Sequence, residues 1–130
     1  MSEKITVPEA LAGVVESIGG APRAGQIEMA IAVSDAFTKK QHLLVEAGTG
    51  TGKSLGYIVP ALVRASDGVK QDGKNRTVIA TATLALQRQL IESDLPAATS
   101  AFKKATGKDI SFAVLKGRHN YICLDRFHRG

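Results

Sequence analysis

The chain has 130 residues and a mass of 13.7 kDa, which fits one domain and excludes two well-packed cores. Hydrophobic residues make up 44% and charged residues 22%, a balance that allows a buried core and excludes disorder throughout. Lys and Arg outnumber Asp and Glu 17 to 12, a formal charge of +5; the whole excess falls in residues 103–130, an asymmetry that fits either an anionic partner or a solvated charged face.

Thr6, Pro8 and Glu9 mark a helix start, and Gly19-Gly20 its end. Residues 25–40 place Ile27, Ala30, Ile31 and Ser34 at helical spacing, with Lys39 and Lys40 at the end where the helix dipole favours cations. Residues 42–47 (HLLVEA) predict a short buried strand, and after a glycine-rich loop residues 54–65 are apolar at helical intervals. Residues 66–76 are a polar surface connection. The run 77–82 (TVIATA) predicts a second strand, residues 84–93 a helix that stops before Pro96, 97–106 a further helix and 111–115 a third strand. This β-α-β-α-β order predicts an α/β fold with a parallel sheet, right-handed crossovers and flanking helices. Past Lys116 the sequence KGRHNYICLDRFHRG is basic and aromatic without a clear period, and the chain reads as truncated there. Cys123 is the single cysteine, so no internal disulfide can form. The N-terminus lacks the apolar stretch of a signal peptide, and no apolar run approaches the roughly 20 residues of a membrane span, so a cytoplasmic protein is expected.

The segment Ala47-Gly48-Thr49-Gly50-Thr51-Gly52-Lys53-Ser54 fits the phosphate-loop (Walker A) pattern at its last three fixed positions, with Ala47 where the strict form has its first Gly. Glycines at 48, 50 and 52 let consecutive backbone N–H groups point inward and cradle phosphate oxygens, and the following helix start adds a favourable dipole. Lys53 would reach the β- and γ-phosphates of a nucleotide, and the Ser54 hydroxyl would bind Mg²⁺. A plain glycine turn also fits the composition, but it leaves the position between a predicted strand and a predicted helix unexplained.

The flanks narrow the class. Arg23-Ala24-Gly25-Gln26-Ile27-Glu28-Met29 lies one helix before the loop, Thr81-Ala82-Thr83-Leu84-Ala85-Leu86-Gln87 follows the second predicted strand, and Lys116-Gly117-Arg118-His119-Asn120-Tyr121-Ile122-Cys123 comes last. Together with the loop these resemble the iron-sulfur DNA helicases of superfamily 2, most closely the DinG-type branch of the XPD-like group, in order and spacing from Arg23 to Cys123. The resemblance implies an N-terminal part of an ATP-dependent DNA helicase involved in DNA repair, built as a partial RecA-like P-loop lobe. It divides the chain into an N-terminal helix (1–22), the first part of a motor lobe (23–115) and the start of an iron-sulfur insertion (116–130).

Gln26 matches the family's adenine-reading glutamine, whose amide carries both a donor and an acceptor; by residue type alone an exposed helix glutamine fits as well. Arg23 matches the arginine of the same motif, where it stacks or contacts phosphate, while Glu28 and Met29 support the helix. Thr81, Thr83 and Gln87 match the motif that holds the backbone of single-stranded DNA, and either threonine could also cap the next helix. Cys123 is by type a small buried hydrophobe; the resemblance makes it the first of four ligands to a [4Fe-4S] cluster, the other three lying after residue 130. Zinc held by Cys123, His119 and His128 fits no common spacing. An acidic Asp-Glu-Ala-His type motif and a second motor lobe are missing, so the chain alone is expected to bind ATP and Mg²⁺ without turning ATP over. Two other classes share the loop: a small-molecule phosphotransferase, and a nucleic-acid-binding module in which the loop is vestigial.

Overall fold

Helix α1 (Val7–Ser17) starts on a reciprocal cap. The Glu9 backbone N–H donates to Thr6 Oγ1 (3.4 Å), and the Glu9 carboxylate accepts from the Thr6 N–H (2.9 Å) and hydroxyl (2.7 Å). The structure, a computed structural model, describes residues 4–48, 52–68 and 75–130. The Thr6 hydroxyl first, and then its backbone N–H, hold the Glu9 carboxyl below its ordinary value. A lowered folded-state value means that this stabilisation is present above the unfolded-state pKa and is lost as pH falls through the folded one. Thr6→Ala should therefore lower stability by about 1 kcal/mol near neutrality, as loss of a cap hydroxyl does. In thermal melts the gap between variant and wild type should narrow on acidification to the part due to the Glu9 N–H cap; a gap unchanged by acidification would remove the Glu9 carboxylate from the explanation.

The apolar stripe Val7, Ala10, Leu11, Val14 of α1 is buried, at the i, i+3, i+4, i+7 spacing of one helix face. It packs on α3 (Lys53–Gly68) and α5 (Leu95–Thr106), with Ile58, Val59, Leu62, Val63, Ala98, Ala101 and Phe102 completing the cluster. Gly13 lets α1 and α5 approach closely, since a Cβ there would stand 3.0 Å from that of Ala105. Helix α2 (Ala24–Lys39) lies against α3 and contributes Ala30 to the core. It ends at Lys40, whose φ of 54° is left-handed, as in a common helix stop. Helix α4 (Leu84–Gln89) runs into a π-helical turn (Leu90–Asp94) and on into α5; a 3₁₀ turn (Arg118–Asn120) and α6 (Leu124–Arg129) follow. No described helix is long and apolar enough to cross a membrane.

The expected parallel sheet is not there: the described residues contain no strand. Segments 42–47, 77–82 and 111–115 are neither helix nor strand, and none of their residues belongs to the buried cluster. Leu44, Val78 and Leu115 stand 99%, 89% and 86% exposed. The helices bury their apolar stripes against one another, which removes the need for a sheet to pack on. A short apolar run states only what could be buried, whereas a parallel ladder requires a distant partner in register.

The expected stop before Pro96 is also corrected. The chain stays helical from Leu84 to Thr106, through a π-helical turn at Leu90–Asp94, with Pro96 in the first turn of α5. Residues 116–130, read as lacking a period, form the 3₁₀ turn and α6, the latter with an Asp125–Arg129 ion pair at 2.9 Å on the i, i+4 spacing.

Candidate nucleotide-binding site

Of the loop, Ala47, Gly48, Gly52, Lys53 and Ser54 are placed, while Thr49, Gly50 and Thr51 lie outside the described residues. Gly52 has a φ of 73°, which an L side chain rarely adopts, and α3 starts at the next residue, Lys53. The first-turn N–H groups of α3 and the positive end of its dipole thus follow directly on Gly52. Lys53 is exposed and makes no ion pair among the described residues, so its ammonium is available to an anion. Ser54 is half-buried beside it.

Gln26 sits in the first turn of α2 and is buried, against the exposed alternative its residue type allowed. Its Nε2 donates to the Gly52 carbonyl at 3.1 Å, an oxygen that also accepts from Gly56 N–H at 3.3 Å. A Cβ on residue 52 would collide with that amide nitrogen, so glycine is required twice over, for its φ and for the approach of Gln26. Gln26 Oε1 is buried with no hydrogen-bond partner among the described residues. A buried amide oxygen left unpaired costs about 1–3 kcal/mol unless a ligand donates to it. One N–H of the amide is spent on Gly52, which leaves the second N–H and Oε1 without a partner among the described residues. Met29 packs its Sδ on Gly56, where a Cβ would come within 3.0 Å, and so fixes α2 on α3. That contact had one sequence signal, a glycine isolated inside a helical pattern. Arg23 is the cap residue of α2, but its exposed side chain makes no hydrogen bond or ion pair among the described residues.

The threonine-glutamine motif lies apart from this site. Thr83 Oγ1 accepts from Leu86 N–H at 3.2 Å and caps α4, while Thr81 Oγ1 donates to the Thr83 carbonyl at 3.3 Å. Gln87 lines an open groove of about 430 Å³ with Leu84, Arg88, Ile91, Lys116 and Asn120. The groove joins α4 to the basic segment after residue 115, a juxtaposition invisible in the sequence. Part of the positive charge is already paired: Lys103 meets Asp109 at 2.6 Å.

Cys123 is exposed at the start of α6, not a buried hydrophobe. Among the described residues no group of three or more His, Cys, Asp or Glu could hold a metal, and one cysteine in the whole chain supplies one thiolate of the four that a cluster needs. Cys123 alone therefore does not make an iron-sulfur site among the described residues.

A left-handed glycine at a helix start, a lysine without an ion pair among the described residues and a glutamine hydrogen-bonded to the Gly52 carbonyl together form a candidate nucleotide-binding site. The chain belongs to the DEAD/DEAH box helicase family, which it matches over residues 27–120. It is 50% identical over 130 residues to the ATP-dependent helicase DinG of Mycobacterium tuberculosis, an overlap of 98% of this chain and 19% of that protein. The ATP-dependent DNA helicase YoaA of Escherichia coli is 47% identical over 111 residues, 85% of this chain and 15% of YoaA. The 3'-5' exonuclease DinG of Bacillus subtilis is 36% identical over 107 residues, 82% of this chain and 10% of the relative. The chain thus spans a fifth or less of these proteins. No solved structure matches it.

Proposed function

We propose that this chain is the ATP-binding part of an ATP-dependent DNA helicase. The observation that carries the reading is the Gln26 amide, bonded to the Gly52 carbonyl at the loop and left with a buried Oε1 that has no partner among the described residues. In this reading the loop N–H groups and Lys53 hold the triphosphate, and the Ser54 hydroxyl takes a place in the Mg²⁺ shell. Gln26 accepts from the adenine amino group and donates to a ring nitrogen. Because the same amide holds Gly52, recognition of the base and the conformation of the phosphate loop are coupled through one side chain. Thr81, Thr83 and Gln87 contact a DNA backbone by hydroxyl, N–H and amide groups, which position a strand without reading its sequence.

Nucleotide titration tests the base-reading role. Wild-type protein should prefer ATP to GTP by about tenfold or more, since guanine presents an acceptor where adenine presents its amino group. Gln26→Ala should remove most of that preference. Equal affinity of the wild type for the two nucleotides contradicts it.

A further inference from the structure

Gly56 is buried in the first turn of α3, four residues after Gly52, at a place where glycine is a poor helix former. The room left by its missing side chain is filled by Met29 of α2. A Cβ on residue 56 would stand 3.0 Å from Met29 Sδ, 3.3 Å from its Cγ and 3.5 Å from its Cβ. The contact therefore runs back to the root of the methionine side chain, and turning the terminal methyl alone would not relieve a larger residue there.

Gln26 and Met29 are three apart on α2, a spacing that puts them on one face. The two pairs meet in step, Gln26 on Gly52 and Met29 on Gly56. They are also joined through one atom: the Gly52 carbonyl that accepts from Gln26 Nε2 at 3.1 Å accepts from the Gly56 N–H at 3.3 Å. Farther along the same two helices Ala30 is fully buried, and the Arg64 guanidinium lies 5.0 Å from the centre of the Phe37 ring. Those contacts hold the body of α2. At its start Arg23, Ala24 and Gly25 are exposed and Ile27 is only partly buried, so the first turn is held on α3 chiefly by Met29 against Gly56.

A single hydrogen bond fixes a distance and leaves the amide plane free to turn about it. Placing Gln26 Oε1 as well needs the backbone that carries Gln26 to be held. We propose that Met29, packed on Gly56, is the positioning residue that keeps the Gln26 amide in place on the Gly52 carbonyl, and so sets the preference for adenine over guanine nucleotides. The inference rests on the reading of Gln26 as the contact to the base.

The test measures ATP and GTP affinity by titration on the natural full-length protein, beside a thermal melt. Met29→Ala should cut the ratio of ATP to GTP affinity about fivefold, the weight of one hydrogen bond. Met29→Leu, close to methionine in volume, should bring the ratio back to within about twofold of the wild type. A side chain that only packs would weaken both nucleotides alike. An unchanged ratio in Met29→Ala therefore overturns the inference, as does a ratio that Met29→Leu leaves at the alanine level. If Met29→Ala does not fold, Gly56→Ala decides, since alanine favours the helix while its methyl displaces Met29. There too the ratio should fall, and an unchanged ratio overturns the inference. Gln26→Ala separates the inference from the reading beneath it. A wild-type preference for ATP that Gln26→Ala removes and Met29→Ala leaves intact overturns the role of Met29 alone. A wild type that binds ATP and GTP equally overturns the base-reading itself, and the role of Met29 falls with it.

Discussion

Lys53→Ala in the natural full-length protein should reduce ATP hydrolysis by at least about a hundredfold, the scale on which removing one preorganised charge-stabilising group acts. Lys53 is the first residue of α3, follows the left-handed Gly52 directly, and makes no ion pair among the described residues. Its ammonium thus stands exposed at a helix start with no ion-pair partner among the described residues. Charge spreads onto the γ-phosphoryl oxygens in the transition state, so the loss should fall mainly on kcat and less on nucleotide affinity. Because Lys53 is exposed, the variant should melt with the wild type. Steady-state hydrolysis beside a thermal melt checks both parts. A variant that retains most of its hydrolysis places the phosphate-binding charge elsewhere.

The largest stability effect is expected at Phe102, which is fully buried where α1, α3 and α5 meet. Phe102→Ala removes a ring from a close-packed cluster and should cost about 3–5 kcal/mol. That is a large part of the roughly 5–15 kcal/mol that holds a domain folded. Chemical denaturation should show a lower midpoint with an unchanged slope, and nucleotide binding should weaken only as the folded fraction falls. Ala98 and Ala101 line the same face, and neither can fill the space left behind. A midpoint shift worth less than about 1 kcal/mol would mean that the three helices do not share one core.

What could be read in advance was what local chemistry specifies. The Thr6–Glu9 cap needs two side chains three residues apart, and α1 begins within one residue of where they place it. The stripes of α1, α2, α3 and α5 lie at periods that a single helix determines, so their spans were legible to within a few residues. The phosphate-loop reading rests on glycines, a lysine and a serine at fixed spacing, of which the structure places Ala47, Gly48, Gly52, Lys53 and Ser54. The sheet expected from 42–47, 77–82 and 111–115 was not there to be found, since apolar composition does not say whether Leu44 or Val78 will meet a partner. The helix through Pro96 was hidden for a different reason. A proline disfavours a helix interior without excluding it, as Pro60 inside α3 also shows, and only the coordinates show Leu95 bonded to Leu90. The burial of Gln26 and the groove between Gln87 and Asn120 depend on residues far apart in the chain, which no local pattern encodes.

The most direct measurement of the proposed activity is displacement of a labelled strand from a partly single-stranded DNA duplex by the natural full-length protein. With ATP and Mg²⁺ the labelled strand should be released, and DNA should stimulate ATP hydrolysis. With GTP in place of ATP, or with the Lys53→Ala variant, release should fall to the level of the duplex alone. Displacement that proceeds without any nucleotide, or the absence of both displacement and DNA-stimulated hydrolysis in the wild type, would contradict a helicase built on this chain.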